Sequence, residues 1–177
     1  EILYNPANPG YDWEWIELYN LGDSTIDLSG FVVDDDNPSA HKSANIQEGQ
    51  MLPRQSAVLY NADKISAGDF TAAWGPDINL VAVSNWKALK LNDDGDKISL
   101  WMNFDSYQAD HRTHRNAFYT LHYGQDGFPN PAQSSMYIKD LYTDDALGQN
   151  WASSALGRPT PVHTTFRSRK SGGEPGH

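Results

Sequence analysis

Over its first 33 residues the chain sets short runs of aromatic, aliphatic and β-branched residues between clusters of Asn, Gly, Asp and Pro. The punctuation recurs at roughly eight to twelve positions, the spacing of an all-β protein. Residues 1–4 read as a first strand, stopped by Asn5-Pro6 and Asn8-Pro9-Gly10, which cannot continue a ladder. Residues 13–20 form the strongest strand. Ile16 and Leu18 share one face and Trp15, Glu17 and Tyr19 the other, so both faces are covered and the strand is central. Further strands are predicted at 25–28, 31–33, 57–60, 80–83, 88–91, 97–102 and 136–141, with a closing anchor at Asn150-Trp151. A short helix capped by Asp63 is predicted within 61–73, and no helical pattern is long enough for a βαβ unit. Residues 103–135 read as a long decorated loop. Many short strands, one of them covered on both sides, specify an antiparallel β-sandwich with long loops over residues 1–160, followed by a tail over 161–177.

Several runs resemble a known family. Glu1-Ile2-Leu3-Tyr4-Asn5-Pro6, then Glu14-Trp15-Ile16-Glu17-Leu18-Tyr19-Asn20, Gly22-Asp23 and Asp27-Leu28-Ser29-Gly30-Phe31 resemble the lamin-tail domains of bacterial extracellular proteins. Leu52-Pro53 before Val58-Leu59, the run from Leu91-Asn92-Asp93-Asp94-Gly95 to Ser99-Leu100, and Asn150-Trp151-Ala152-Ser153-Ser154 follow in that family's order. The likeness spans about residues 1–156 and departs at Thr160-Pro161-Val162-His163. It implies an immunoglobulin-like sandwich at the cell surface or outside the cell. It also implies an accessory role beside secreted hydrolases, nucleases or spore-coat-type proteins, without a shared catalytic site.

Charge narrows the partners. Thirteen basic against 23 acidic side chains give a net charge of −10, and eighteen of the acids lie in residues 1–110. That field opposes nucleic-acid binding and favours cations. The absence of cysteine removes disulfides, iron–sulfur clusters and thiolate zinc sites, and fits either redox compartment. No apolar run approaches the roughly 18 residues of a membrane span. Opening at Glu1 with neither an initiator methionine nor a signal-peptide core, the chain is expected to be a processed or excised piece.

Candidate chemistry is sparse. Asp34, Asp35 and Asp36 with Asn37 could wrap calcium, which takes six to eight oxygens from irregular loops, or could simply cap backbone amides in a solvated loop. The run 92–96 fails the EF-hand template, whose first and twelfth ligands would be Lys90 and Trp101. Its Asp94-Gly95 reads instead as the turn of a hairpin between Leu91 and Ile98. Glu17 between Trp15 and Tyr19 has the surroundings of a carboxyl with a raised pKa, against a structural role under a covering loop. His111 and His114, completed by His122 or Asp110, could ligate a metal, although surface positions are the commoner fate of such histidines. Gly-x-Ser-x-Gly, His-Glu-x-x-His and phosphate-loop motifs are absent, and Arg167, Arg169 and Lys170 are too few for a nucleic-acid patch. Trp74 and Trp86 flank loop-like stretches and read as an exposed pair for stacking on sugar or protein, or as satellite core. The leading expectation is an accessory binding or structural module, calcium-stabilised, contacting a protein or carbohydrate polymer. The alternative is a metal-dependent hydrolase of an ester, lactone or phosphoester with His111 or His114 as base and Glu17 as a further catalytic candidate. It requires the histidines and Asp34 to Asp36 to share one pocket.

Overall fold

The computed structural model describes residues 1–7, 11–37, 40–125 and 127–154, so the tail expected over 161–177 lies outside the described residues. In chain order the elements are β1 (Ile2–Leu3), β2 (Trp15–Tyr19), β3 (Ile26–Asp27), β4 (Val32–Asp34), β5 (Gln50–Met51), β6 (Ser56–Asn61), α1 (Ala67–Trp74) and β7 (Leu80–Val83). There follow α2 (Trp86–Leu89), β8 (Asp96–Trp101), α3 (Phe104–Asp110), β9 (Tyr119–Tyr123), β10 (Met136–Ile138), a single 3₁₀ turn and β11 (Trp151–Ser153).

Period-two alternation decides the layering. One sheet runs β11-β10-β1-β2-β6-β7, a second β4-β8-β9, and β3-β5 form a ribbon. Ile2, Ile16, Leu59, Met136 and Trp151 of the first sheet pack in one cluster with Val33, Ile98, Leu100, Leu121 and Tyr123 of the second. Their neighbours point outward. Leu3, Trp15, Val58 and Tyr60 lie under Ile65, Phe70 and Trp74. On the far side, Val32 and Trp101 lie under Tyr107 and Phe104. The result is an immunoglobulin-like β-sandwich with one helix laid on each outer face. Strand β2 sits between β1 and β6, Trp15 and Ile16 are each at most 2% exposed, and so it is central and covered on both sides, as its sequence requires.

Five local readings are corrected. The helix within 61–73 is α1, and its cap is Ser66, whose Oγ accepts from Asp69 N (3.1 Å); Asp63 accepts instead from Trp86 N (2.9 Å), at the start of α2. Residues 88–91 are not a strand: Trp86 and Leu89, three apart, share the buried side of α2. Strands β6 and β7 are parallel, and α1 is their crossover, a short βαβ unit that periodicity alone did not reveal. The expected loop over 103–135 contains α3, capped by Asn103, and β9, whose Leu121 and Tyr123 face the core.

Asp94-Gly95 makes no hairpin, because β8 pairs with β4 and β9. Gly95 has φ +127° where the chain enters β8, and a Cβ on Gly124 would sit 2.2 Å from Gly95 Cα. The two glycines let the ends of β8 and β9 touch backbone to backbone.

Candidate functional site

Strand β4 ends at Asp34, the first of three adjacent aspartates, and the three side chains go to different partners. Asp34, 1% exposed, accepts from Tyr107 Oη at Oδ2 (2.5 Å), and His41 Nε2 lies 3.1 Å from its Oδ1. On the other side of that imidazole Asn85 Nδ2 stands 3.1 Å from Nδ1, so the ring donates through Nε2 and accepts at Nδ1. Tyr107 Oη in turn accepts from His41 N (2.8 Å). Burial, and then the bond to Asp34, raise the Tyr107 phenol well above its ordinary pKa. Tyr107→Phe is expected to cost about 1–3 kcal/mol in a denaturant melt, since it strands a buried carboxylate oxygen and a buried amide.

Asp35, also buried, accepts from Asn37 N (2.7 Å). Burial, with Asp96 and Asp34 adding to it, pushes its carboxyl up to about 8 against the pull of the Asn37 amide. Asp96 is raised as well, chiefly by burial, although Asn92 and Lys97 donate to it. Asp36 faces outward, 3.5 Å from Lys97 Nζ and 3.4 Å from His114 Nε2.

His114 therefore does reach the aspartate run. Its Nδ1 lies 2.8 Å from Ser99 Oγ, and burial, followed by Lys97, lowers its pKa. Ser99 is fully buried and bonded to Thr120 Oγ1 (2.8 Å), so the hydroxyl end of this Ser-His-Asp row is closed off within the sheet and only its Asp36 end is exposed. His111 and His122 go elsewhere: His111 Nδ1 to Tyr107 O (3.2 Å) and the exposed His122 to Gln125 (3.2 Å). Asp110 gathers Trp101 Nε1, Thr113 Oγ1, Arg115 N and Asn116 N. Its burial favours the neutral carboxyl, but these donors outweigh that and hold it below its usual pKa. Among the described residues no group of three or more His, Asp or Glu side chains is arranged to hold a metal ion.

The tryptophan pair is separated. Trp86 is fully buried and donates from Nε1 to Glu14 Oε2 (2.8 Å), which also accepts from Leu91 N (3.1 Å). Trp74 is half-buried, edge-on to Trp15 with centroids 5.9 Å apart. Trp86 is thus core, and Trp74 covers the outer face of the first sheet rather than standing free.

Glu17 lies beside Glu1 across β1 and β2, on the face away from the second sheet. Glu1 Oε1 accepts from Ser135 Oγ and Ser154 Oγ, while its Oε2 has no hydrogen-bond partner among the described residues. Burial pushes the Glu1 carboxyl up to about 8; the amine opposes this, and Glu17 adds to it.

One space between the sheets is not filled. A cavity of about 530 Å³ separates Ile2, Ile16 and Leu59 on one side from Val33, Ile98 and Leu100 on the other. It reaches the surface where Leu21 is 45% and Phe118 49% exposed, beside Leu141, Asp144 and Asp145. Tyr119 Oη donates to Asp145 Oδ2 (2.6 Å) and pins that rim to β9. Its volume lies in the range of small-molecule sites. No sequence signal marks it, because its wall is gathered from strands far apart in the chain, from Ile2 and Ile16 through Leu59 and Leu100 to Leu121, Ile138 and Trp151.

A Lamin Tail Domain profile matches residues 1–113, from the first strand to the turn after α3, and β9, β10 and β11 follow the matched segment. No curated protein and no solved structure matches the chain. The matched segment is well over half of the sequence, and the sandwich it implies is the one observed: the chain belongs to the lamin tail domain family.

Proposed function

We propose that the domain is an accessory binding module that takes an apolar group into the cavity between its sheets. One observation carries the reading: about 530 Å³ of space walled mainly by apolar side chains and reaching the surface between Leu21 and Phe118. Interiors of native domains pack to crystal density, and apolar cavities accept apolar guests. In the segment that carries the lining residues Leu141 to Asp145, and just after it, Tyr142 (76% exposed) and Leu147 (46%) add apolar surface, which supports a contact face for the molecule that presents the ligand. The aspartates and histidines, by contrast, tie strands and α3 together, which supports a structural role for them.

The test is titration with a neutral naphthyl probe whose emission rises in apolar surroundings. Saturable binding is expected at one site, with a Tm that climbs with probe concentration as linkage requires. Leu100→Trp, which fills the cavity from β8, should abolish the signal while the variant still melts cooperatively; Leu121→Phe is a second filling variant. Unsaturable binding, or binding untouched in a folded filling variant, would remove the proposal.

A further inference from the structure

We infer that the ligand of the inter-sheet cavity is a single-chain aliphatic amphiphile with a positively charged head, its chain between the sheets and its head at the Asp144–Asp145 rim. The inference rests on the binding reading above and adds the chemistry of the head.

Depth and rim differ in kind. Between the sheets the wall is apolar, with aliphatic Ile16 and Leu59 on one side facing Ile98 and Leu100 on the other, and rings such as Phe118, Tyr119 and Trp151 adding to it. A chain of methylenes matches such a wall, whereas a polysaccharide would strand its hydroxyls there. The rim is acidic. Residues lining the cavity include Glu1, Glu17, Asp144 and Asp145 and no Lys, Arg or His. Glu1 and Glu17 face away from the second sheet, so the rim aspartates are left to meet the head.

Both rim carboxylates are oriented by the chain. Asp145 accepts from Tyr119 Oη (2.6 Å), and Asp144 Oδ1 accepts from Ala146 N (3.0 Å). An anionic head would meet the Asp144 and Asp145 carboxylates on a chain of net charge −10, so the site selects against fatty-acid-like ligands and for ammonium ones.

The experiment is calorimetric titration of the full chain with decylammonium, 1-decanol and decanoate, each below its micellar concentration, with the naphthyl probe as competitor. Decylammonium is expected to bind at least tenfold tighter than decanoate and to displace the probe. Shortening it to octylammonium should weaken binding about sixteenfold, roughly fourfold for each methylene lost. Asp144→Asn, at an exposed position, should narrow the gap between ammonium and carboxylate heads, and added salt should narrow it further. Equal affinity for the three heads would overturn this inference and leave the cavity reading standing. Binding by none, with no probe signal, would overturn both. An ammonium preference that ignores chain length or fails to displace the probe would place the amine outside the cavity and equally overturn the inference.

Discussion

Trp86→Ala should cost the domain about 3–5 kcal/mol, the range for deleting a fully buried tryptophan, and leave it at best marginally folded. The indole is fully buried in the central cluster, and its Nε1 donates to a carboxylate that is itself 3% exposed. The substitution removes the packing and leaves Glu14 one donor short. Trp74→Ala, at a half-buried ring on an outer face, should cost less, about 1–2 kcal/mol. Urea melts of the two variants separate this reading from a sugar-stacking role. Were Trp86 a surface platform, its removal would leave stability untouched.

Glu14→Ala is expected to lower stability by about 3 kcal/mol, because Trp86 Nε1 and Leu91 N then lose their buried acceptor together. Glu14→Gln keeps an oxygen for both donors and reports on the charge alone. Burial pushes this carboxyl up to about 7, against the pull of the Trp86 and Leu91 donors, with Asp93 raising it and Lys90 lowering it slightly. A raised acid is penalised only when ionised. Below about pH 4, where both folded and unfolded chains hold the proton, there is no penalty. Between the ordinary glutamate range and pH 7 the unfolded chain releases its proton while the folded chain retains it, so stability falls as pH rises. Asp35 and Glu1, each pushed up to about 8, carry the decline somewhat further before it levels off, while the lowered His114 offsets part of it as pH rises toward the ordinary histidine value. The Glu14 share is on the order of 3 kcal/mol at most. Melts at pH 5, 7 and 8 should show the wild-type domain losing stability across that series and Glu14→Gln losing less. A Glu14→Gln curve parallel to wild type would refute the assignment of charge to this site.

What the sequence revealed and what it hid follow from the range of each interaction. Strand β2 was legible because its own residues carry both apolar faces, and residues 80–83 because a four-residue aliphatic run is bounded by turn formers. Residues 88–91 misled because Ala88, Leu89 and Leu91 satisfy either period. The helix is chosen by Asp63 and Glu14, which bind its start and Leu91, two residues past its end, from far along the chain. In α3 the signal was local and available: Asn103 as cap, with Phe104 and Tyr107 three apart beyond it. The aspartates stood out through their charge, yet what distinguishes them is where β4 sends each one. The cavity had no motif at all, since an unfilled volume belongs to no residue.

Strand β1 is flanked by β2, close behind it in the chain, and by β10, more than 130 residues later. The first strand therefore waits at an open margin until nearly the whole domain has been synthesised. Such closure imposes a high contact order, so folding should be slow and nascent chains should rely on protection of that margin while the last strands are still in the ribosome.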